Sequence, residues 1–214
     1  MKIICTTTLL PEVPFVGTRI RVQVPWQPGG TLDYGIYSLT MPQGCTIDWG
    51  DGTVEESTKF LRKVHTYPHP GTYLIKITEG ITNMVLTYNY PSDDYSVKYG
   101  PSVLSFVSND PNIPVVGAYG FSGCKNMAMF DMRDASLSRL LKSEFRGCVS
   151  LTGELFFPKI EYLAGEPGDM PFEGCMGLTK IHLPKAHEAD ITSGATFQAD
   201  PTLGTGAAEC VFDL

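Results

Sequence analysis

The sequence has no run of Lys or Arg longer than two, and no apolar stretch near the ~20 residues of a helical membrane span. Its 16 basic residues are outnumbered by 23 acidic ones, for a net charge of −7. Binding nucleic acid through counterion release needs a basic face. None is legible, so nucleic acid and membrane-spanning partners drop out. A secretory leader needs ~7–15 apolar residues and then a small-residue cleavage site. The run Met1-Lys2-Ile3-Ile4-Cys5 ends early, at Thr6-Thr7-Thr8. No G-x-S-x-G elbow, P-loop, H-E-x-x-H or C-x-x-C pair occurs. Charged residues are sparse at 18%, while 43% hydrophobic residues over 214 positions suffice for a core without metal or disulfide staples.

What the chain does have is turns. Gly 22 and Pro 16 stay below the level of low-complexity disorder and point to many short strands. Residues 15–107 alternate polar and apolar in Arg19-Ile20-Arg21-Val22-Gln23-Val24, in Cys45-Thr46-Ile47-Asp48-Trp49 and in Tyr73-Leu74-Ile75-Lys76-Ile77-Thr78. That is the period of a half-buried strand. Thr82 to Tyr90 and Val103 to Val107 add two β-rich runs. Turn clusters separate them: Pro28-Gly29-Gly30, Pro42-Gln43-Gly44, Gly50-Asp51-Gly52 and Pro68-His69-Pro70-Gly71. The only helix candidate, Glu55 to Val64, is weakened by Ser57-Thr58. The pattern predicts an antiparallel β-sandwich.

The segment Ile47-Asp48-Trp49-Gly50-Asp51-Gly52-Thr53, followed by His65-Thr66-Tyr67 and Pro70-Gly71-Thr72-Tyr73, resembles the PKD-type β-sandwich family over residues 15–90. The resemblance implies an immunoglobulin-like fold used as a spacer or adhesive module. On their own physics, Gly50 and Gly52 permit positive φ in a tight hairpin, and Asp51 can cap the turn with its side chain. A calcium loop would need oxygen ligands at positions 1, 3 and 5. Counting from Asp48, the latter two are Gly50 and Gly52. His65 and His69 could share a metal only on a helix, which Pro68 and Pro70 forbid. No metal or other cofactor is expected.

From residue 113 onward the chain repeats itself. Phe121-Ser122-Gly123-Cys124-Lys125-Asn126-Met127 recurs as Phe145-Arg146-Gly147-Cys148-Val149-Ser150-Leu151 and as Phe172-Glu173-Gly174-Cys175-Met176-Gly177-Leu178. Phe197-Gln198-Ala199-Asp200-Pro201-Thr202-Leu203 reads as a degraded fourth copy. The phenylalanine steps are 24, 27 and 25 residues, within the window of leucine-rich repeats. A short strand follows each motif. Its inward residues are Met127, Phe130 and Met132 in the first copy and Leu178, Ile181 and Leu183 in the third. The second copy has one extra residue, which places Leu155 and Phe157 inward. The four phenylalanines, with Met127, Leu151, Leu178 and Leu203, are expected to form one stacked spine.

These units resemble the BspA-like leucine-rich repeats of bacterial and protist surface proteins. Val116-Gly117 before Phe121 and Leu178 to Pro184 follow that pattern. Leu140-Leu141, the insert Gly165 to Pro171, and Ala199-Asp200 depart from it. The resemblance implies adhesion or protein binding at a cell surface or outside the cell, rather than catalysis.

Cys124, Cys148 and Cys175 hold one place in successive units, which predicts a buried thiol ladder. Stacked parallel strands bring Cα atoms to about 4.8 Å, but the Cβ vectors point the same way, which disfavours disulfides. Cys5, Cys45 and Cys210 have no spacing logic. Glu154, Glu161, Glu166 and Asp169 are read as the solvated carboxylates of a repeat surface, and the chain is read as no enzyme.

The expected architecture is mainly β, in two domains. Residues 1–105 form an immunoglobulin-like (PKD-type) sandwich, and residues 106–214 a short leucine-rich-repeat solenoid of about four units, its first unit capped by the sandwich. Strand alternation directs Met129, Asp131, Glu154, Phe156, Lys180 and His182 outward across three units as a candidate binding face. The expected function is non-catalytic binding of a protein or glycan on that face. Two other readings stay open: an accessory module of a carbohydrate-processing enzyme, or a structural component of a phage or mobile-element particle.

Overall fold

A computed structural model describes residues 15–24, 33–40, 45–57, 63–78, 83–85, 102–111, 115–116, 120–163, 170–192 and 202–214. Among these, the chain is mainly β. In order, the strands are β1 (Gly17–Val24), β2 (Asp33–Thr40), β3 (Cys45–Asp48), β4 (Val54–Ser57), β5 (Lys63–Thr66), β6 (Gly71–Thr78), β7 (Asn83–Val85) and β8 (Val103–Ser108). They continue as β9 (Val115–Val116), β10 (Met129–Asp131), β11 (Arg139–Leu140), β12 (Thr152–Phe156), β13 (Tyr162–Leu163), β14 (Gly177–His182) and β15 (Glu209–Val211). A 3-10 turn at Lys185–His187 runs into one short helix, α1 (Glu188–Thr192). The helix candidate at Glu55 to Val64 is not helical where it is described. Val54–Ser57 and Lys63–Thr66 are strands instead, in keeping with the β-branched Val and Thr at their ends.

One sheet has the order β10-β8-β1-β6-β3-β4, a second β13-β11-β9-β7-β2-β5, and a third β12-β14-β15. The ladders among β1 to β6 are antiparallel, as is β2 with β7. Those joining β8 to β10, β7 to β9, β9 to β11, β11 to β13, β12 to β14 and β14 to β15 are parallel. Strand β8 pairs antiparallel with β1 on one side and parallel with β10 on the other. Asn109 fastens its end: its Oδ1 accepts from Gly17 N at 2.9 Å, and its Nδ2 donates to the Phe15 carbonyl at 3.0 Å.

In β1 the period-two pattern buries Ile20, Val22 and Val24 and exposes Arg21 and Gln23; Ile20 faces Ile75 across the ladder. The Asp-Gly turn after β3 folds as its side chains dictate. Gly50 N donates to Asp48 Oδ1, and Thr53 N to Asp51 Oδ1, each at 2.9 Å. Gly50 stands at φ 81°, and a Cβ there would lie 2.6 Å from the Leu74 carbonyl oxygen, so both dihedral and space require glycine. The residues singled out around this turn meet one another. Trp49 stacks on His65 at 4.8 Å, His65 Nε2 lies 2.8 Å from Asp51, and the Tyr67 hydroxyl donates to the Trp49 carbonyl.

The described residues between 105 and 211 wind as solenoid-like stacked coils. Each F-x-G-C-x-x-[L/M] copy is two successive tight turns. Cys124, Cys148 and Cys175 donate their N–H to the carbonyl three residues back, and so do Met127, Leu151 and Leu178. The glycine of each motif, at φ 75–80°, allows the first turn. Coils are joined along the same motif: Phe121 N donates to Glu144 O at 2.8 Å, Phe145 N to Pro171 O at 2.8 Å and Phe172 N to Leu203 O at 3.1 Å. Inside, Phe121, Phe145 and Phe172 stack at 5.2 and 4.9 Å. Phe106 of β8 meets the end of this column at 4.9 Å from Phe121. The extra residue of the second copy is taken up at a register shift between Gly153 and Glu154, with Gly153 at φ 81°, and Leu155 and Phe157 are buried as expected.

The fourth coil departs from the expected register. Leu203 is buried, but its carbonyl takes the Phe172 amide, the station of Glu144 and Pro171, so it does not extend the row of Met127, Leu151 and Leu178. The last strand is Glu209–Val211, with Cys210 opposite Ile181. Phe197 lies outside the described residues, as do Cys5, Glu166 and Asp169.

No disulfide joins the described cysteines, and Cys124, Cys148 and Cys175 are buried. Cys148 Sγ donates to Phe121 O at 3.1 Å and Cys175 Sγ to Phe145 O at 3.0 Å, one coil back in each case. Burial pushes the Cys124 thiol up, and the adjacent Cys175 thiol together with burial does the same for Cys148.

Candidate functional site

The outward side chains of β10, β12 and β14 come from consecutive coils. Register sets Glu154 beside Lys180 and Phe156 beside His182. The Phe156 and His182 rings stack at 4.2 Å, 10° from parallel. The Arg133 guanidinium lies over the Phe156 ring at 5.5 Å from its centroid. Arg133 is forked on Asp131, Nε to Oδ1 at 3.0 Å and Nη2 to Oδ2 at 2.7 Å. That guanidinium holds the Asp131 carboxyl below its ordinary value. Asp131, Phe156 and His182 are thereby linked through Arg133 across three coils, although β10 and β12 belong to different ladders.

His182 departs from the simple outward reading. It points away from the core, yet it is only 6% exposed. Phe156 covers its ring. Glu154 Oε2 lies 3.1 Å from Nε2, and Asp213 Oδ1 lies 3.0 Å from Nδ1. Ionised carboxylates only accept, so the two contacts are hydrogen bonds together when the ring is the imidazolium. Glu154 also faces Lys180 Nζ at 3.6 Å. Asp213 reaches the site because the chain after β15 folds back: Leu214 N donates to Leu183 O, and Lys185 N to Leu214 O.

A shallow cavity of about 110 Å³ opens beside this stack, lined by Phe130, Asp131, Arg133, Glu154 and Phe156. Three of the six residues expected on the face line it. Lys180 and His182 stand behind Glu154, and Met129 is 56% exposed but is not part of the lining. Sequence reasoning missed Arg133 and Asp213. The spacing Asp131-x-Arg133 was a usable signal, since opposite charges two residues apart can pair where a strand runs into a bend. Asp213 carried none, because its place depends on how the chain folds back after β15. Glu161 is exposed on the far side of the coil, in a second cleft of about 390 Å³ with Ser136, Ser138, Lys159 and Pro184. Among the described residues, no group of three His, Cys, Asp or Glu could hold a metal ion, and no helix is long and apolar enough to cross a membrane.

No family model, curated protein or solved structure matches this chain significantly.

Proposed function

We propose that this chain is a non-catalytic interaction module. In this reading its immunoglobulin-like, PKD-type first part carries a BspA-like repeat array that binds a glycan or protein at a cell surface or outside the cell. The observation that supports the binding role is the Arg133–Phe156–His182 stack, framed by Asp131, Glu154 and Asp213 beside an open cavity. Long polar side chains held in one geometry by mutual bonds lose little further freedom on binding, so more of the contact energy remains as affinity.

The test is a screen of immobilised glycans and extracellular proteins, repeated with Phe156→Ala. Phe156 is the better probe than His182, because His182 is buried between two carboxylates and its loss disturbs the fold as well. Loss of the recovered partner, with a melting temperature within a few degrees of the parent, is the expected result. Undiminished binding by folded Phe156→Ala would count against this face.

A further inference from the structure

We infer that the cavity takes the hydroxylated edge of a neutral sugar residue, so that the ligand is a glycan; this rests on the binding-face reading above. The first observation is charge. Asp131 is matched by Arg133, and Glu154 by Lys180, so the two carboxylates that line the cavity each face a fixed positive charge. A charged ligand would have to compete with one of these pairs for its partner. A neutral polyol adds hydrogen bonds and no charge.

The second observation is the shape of the polar groups. The cavity wall holds a guanidinium and two carboxylates, all planar and two-pronged, and adjacent hydroxyls on a sugar ring suit such prongs. A hydroxyl both donates and accepts. It can accept from Arg133 Nη1, which the fork on Asp131 leaves unused, and donate to Asp131 or Glu154. The third observation is size and access. At about 110 Å³ the cavity is smaller than the ~300–1,000 Å³ of pockets that enclose a drug-sized ligand, so the site admits an edge rather than a whole apolar ligand. Phe156 already carries His182 and Arg133 on its ring, which leaves no free face for a flat aromatic ligand. Its rim remains to meet the C–H groups of a sugar.

The experiment uses the full chain on an array of neutral, sialylated or sulfated, and amino-sugar glycans, with an oligoarginine peptide as the cationic protein-like probe. Calorimetric titration of the best neutral glycan follows. The expected result is neutral-glycan binding that weakens at least about tenfold in Arg133→Ala and in Glu154→Gln. Arg133→Lys should stay weak, since an ammonium keeps the charge but loses the fork. Lys125→Ala, on an exposed turn away from the cavity, should bind normally. Circular dichroism checks that each variant is folded, and the near-isosteric Glu154→Gln carries the test if Arg133→Ala is not. Binding of charged glycans or oligoarginine alone, lost in Arg133→Ala, would overturn the neutral-sugar assignment and keep the face. Neutral-glycan binding indifferent to both variants would overturn the face itself. Silence from every probe at millimolar concentration would overturn both.

Discussion

The two halves of the chain build sheets by opposite rules. Before β8, neighbouring strands are antiparallel, and each register is set locally by alternation and by turns such as Asp48 to Thr53. After it, neighbours are parallel and come from successive coils. Their register is set by a motif that donates N–H groups from one coil to the carbonyls of the next. A hairpin needs one good turn. A solenoid needs the same turn repeated at the same phase, because each coil buries its face only against the next. The buried cluster nevertheless runs without interruption from Ile20 to Ala208, and β8 belongs to both ladder types.

The largest test of that contrast is Phe145→Ala. Phe145 is fully buried between Phe121 and Phe172, and its truncation should cost about 3–5 kcal/mol. Because β8 joins both halves, the unfolding transition reported by tryptophan fluorescence should fall with it, both tryptophans (Trp26 and Trp49) being in the first half. If only far-ultraviolet circular dichroism shifted while the fluorescence midpoint stayed, the halves would be separate folding units.

The next effect separates the halves by pH. Glu144 is fully buried in the solenoid with Oε1 unpartnered, and burial raises its carboxyl well above the ordinary 4.5. The unfolded chain releases this proton first, so stability falls as pH rises from about 4.5 to the folded value. Glu144→Gln should remove that slope, and its advantage over the parent in urea titrations should grow with pH across the interval. A constant offset at every pH would show that Glu144 does not titrate with folding.

The smallest effect has the reverse sign. Burial pushes the Asp51 carboxyl up, but the hydrogen bonds from His65 and Thr53 outweigh it and leave the value below 3.8. Its contribution is complete above that value and is lost as pH falls through the folded one. Asp51→Asn should therefore lower stability near neutral pH and converge on the parent as pH falls through the folded value. A deficit that persists undiminished at low pH would break the assignment.

How much of this the residues disclosed beforehand depends on how far each contact reaches. The turn at Asp48 to Thr53 and the F-x-G-C motif are decided within seven residues, and alternation placed Ile20, Val22, Leu155 and Phe157 inward correctly. The fourth coil was misphased because Phe197 resembled its predecessors by type, whereas the register depends on which carbonyl faces Phe172, and that is Leu203. His182 was legible as outward but not as covered, since its cover comes partly from Asp213, 31 residues away. Glu144 gave no hint at all. A lone carboxylate on a turn reads as solvated, and only the packed coil above makes it interior.

The thiols of Cys148 and Cys175 have one further consequence. Each donates to the carbonyl of the preceding coil, so an alkylating reagent reaches either sulfur only after two coils have parted. Where closing outpaces reaction, the rate of labelling measures how often that seam opens, as amide exchange does for a hydrogen-bonded backbone. Cys210, partly accessible on the last strand, supplies a comparison rate away from those two junctions. The motif that fixes the register thus also furnishes two built-in timers of its failure, one at each successive junction.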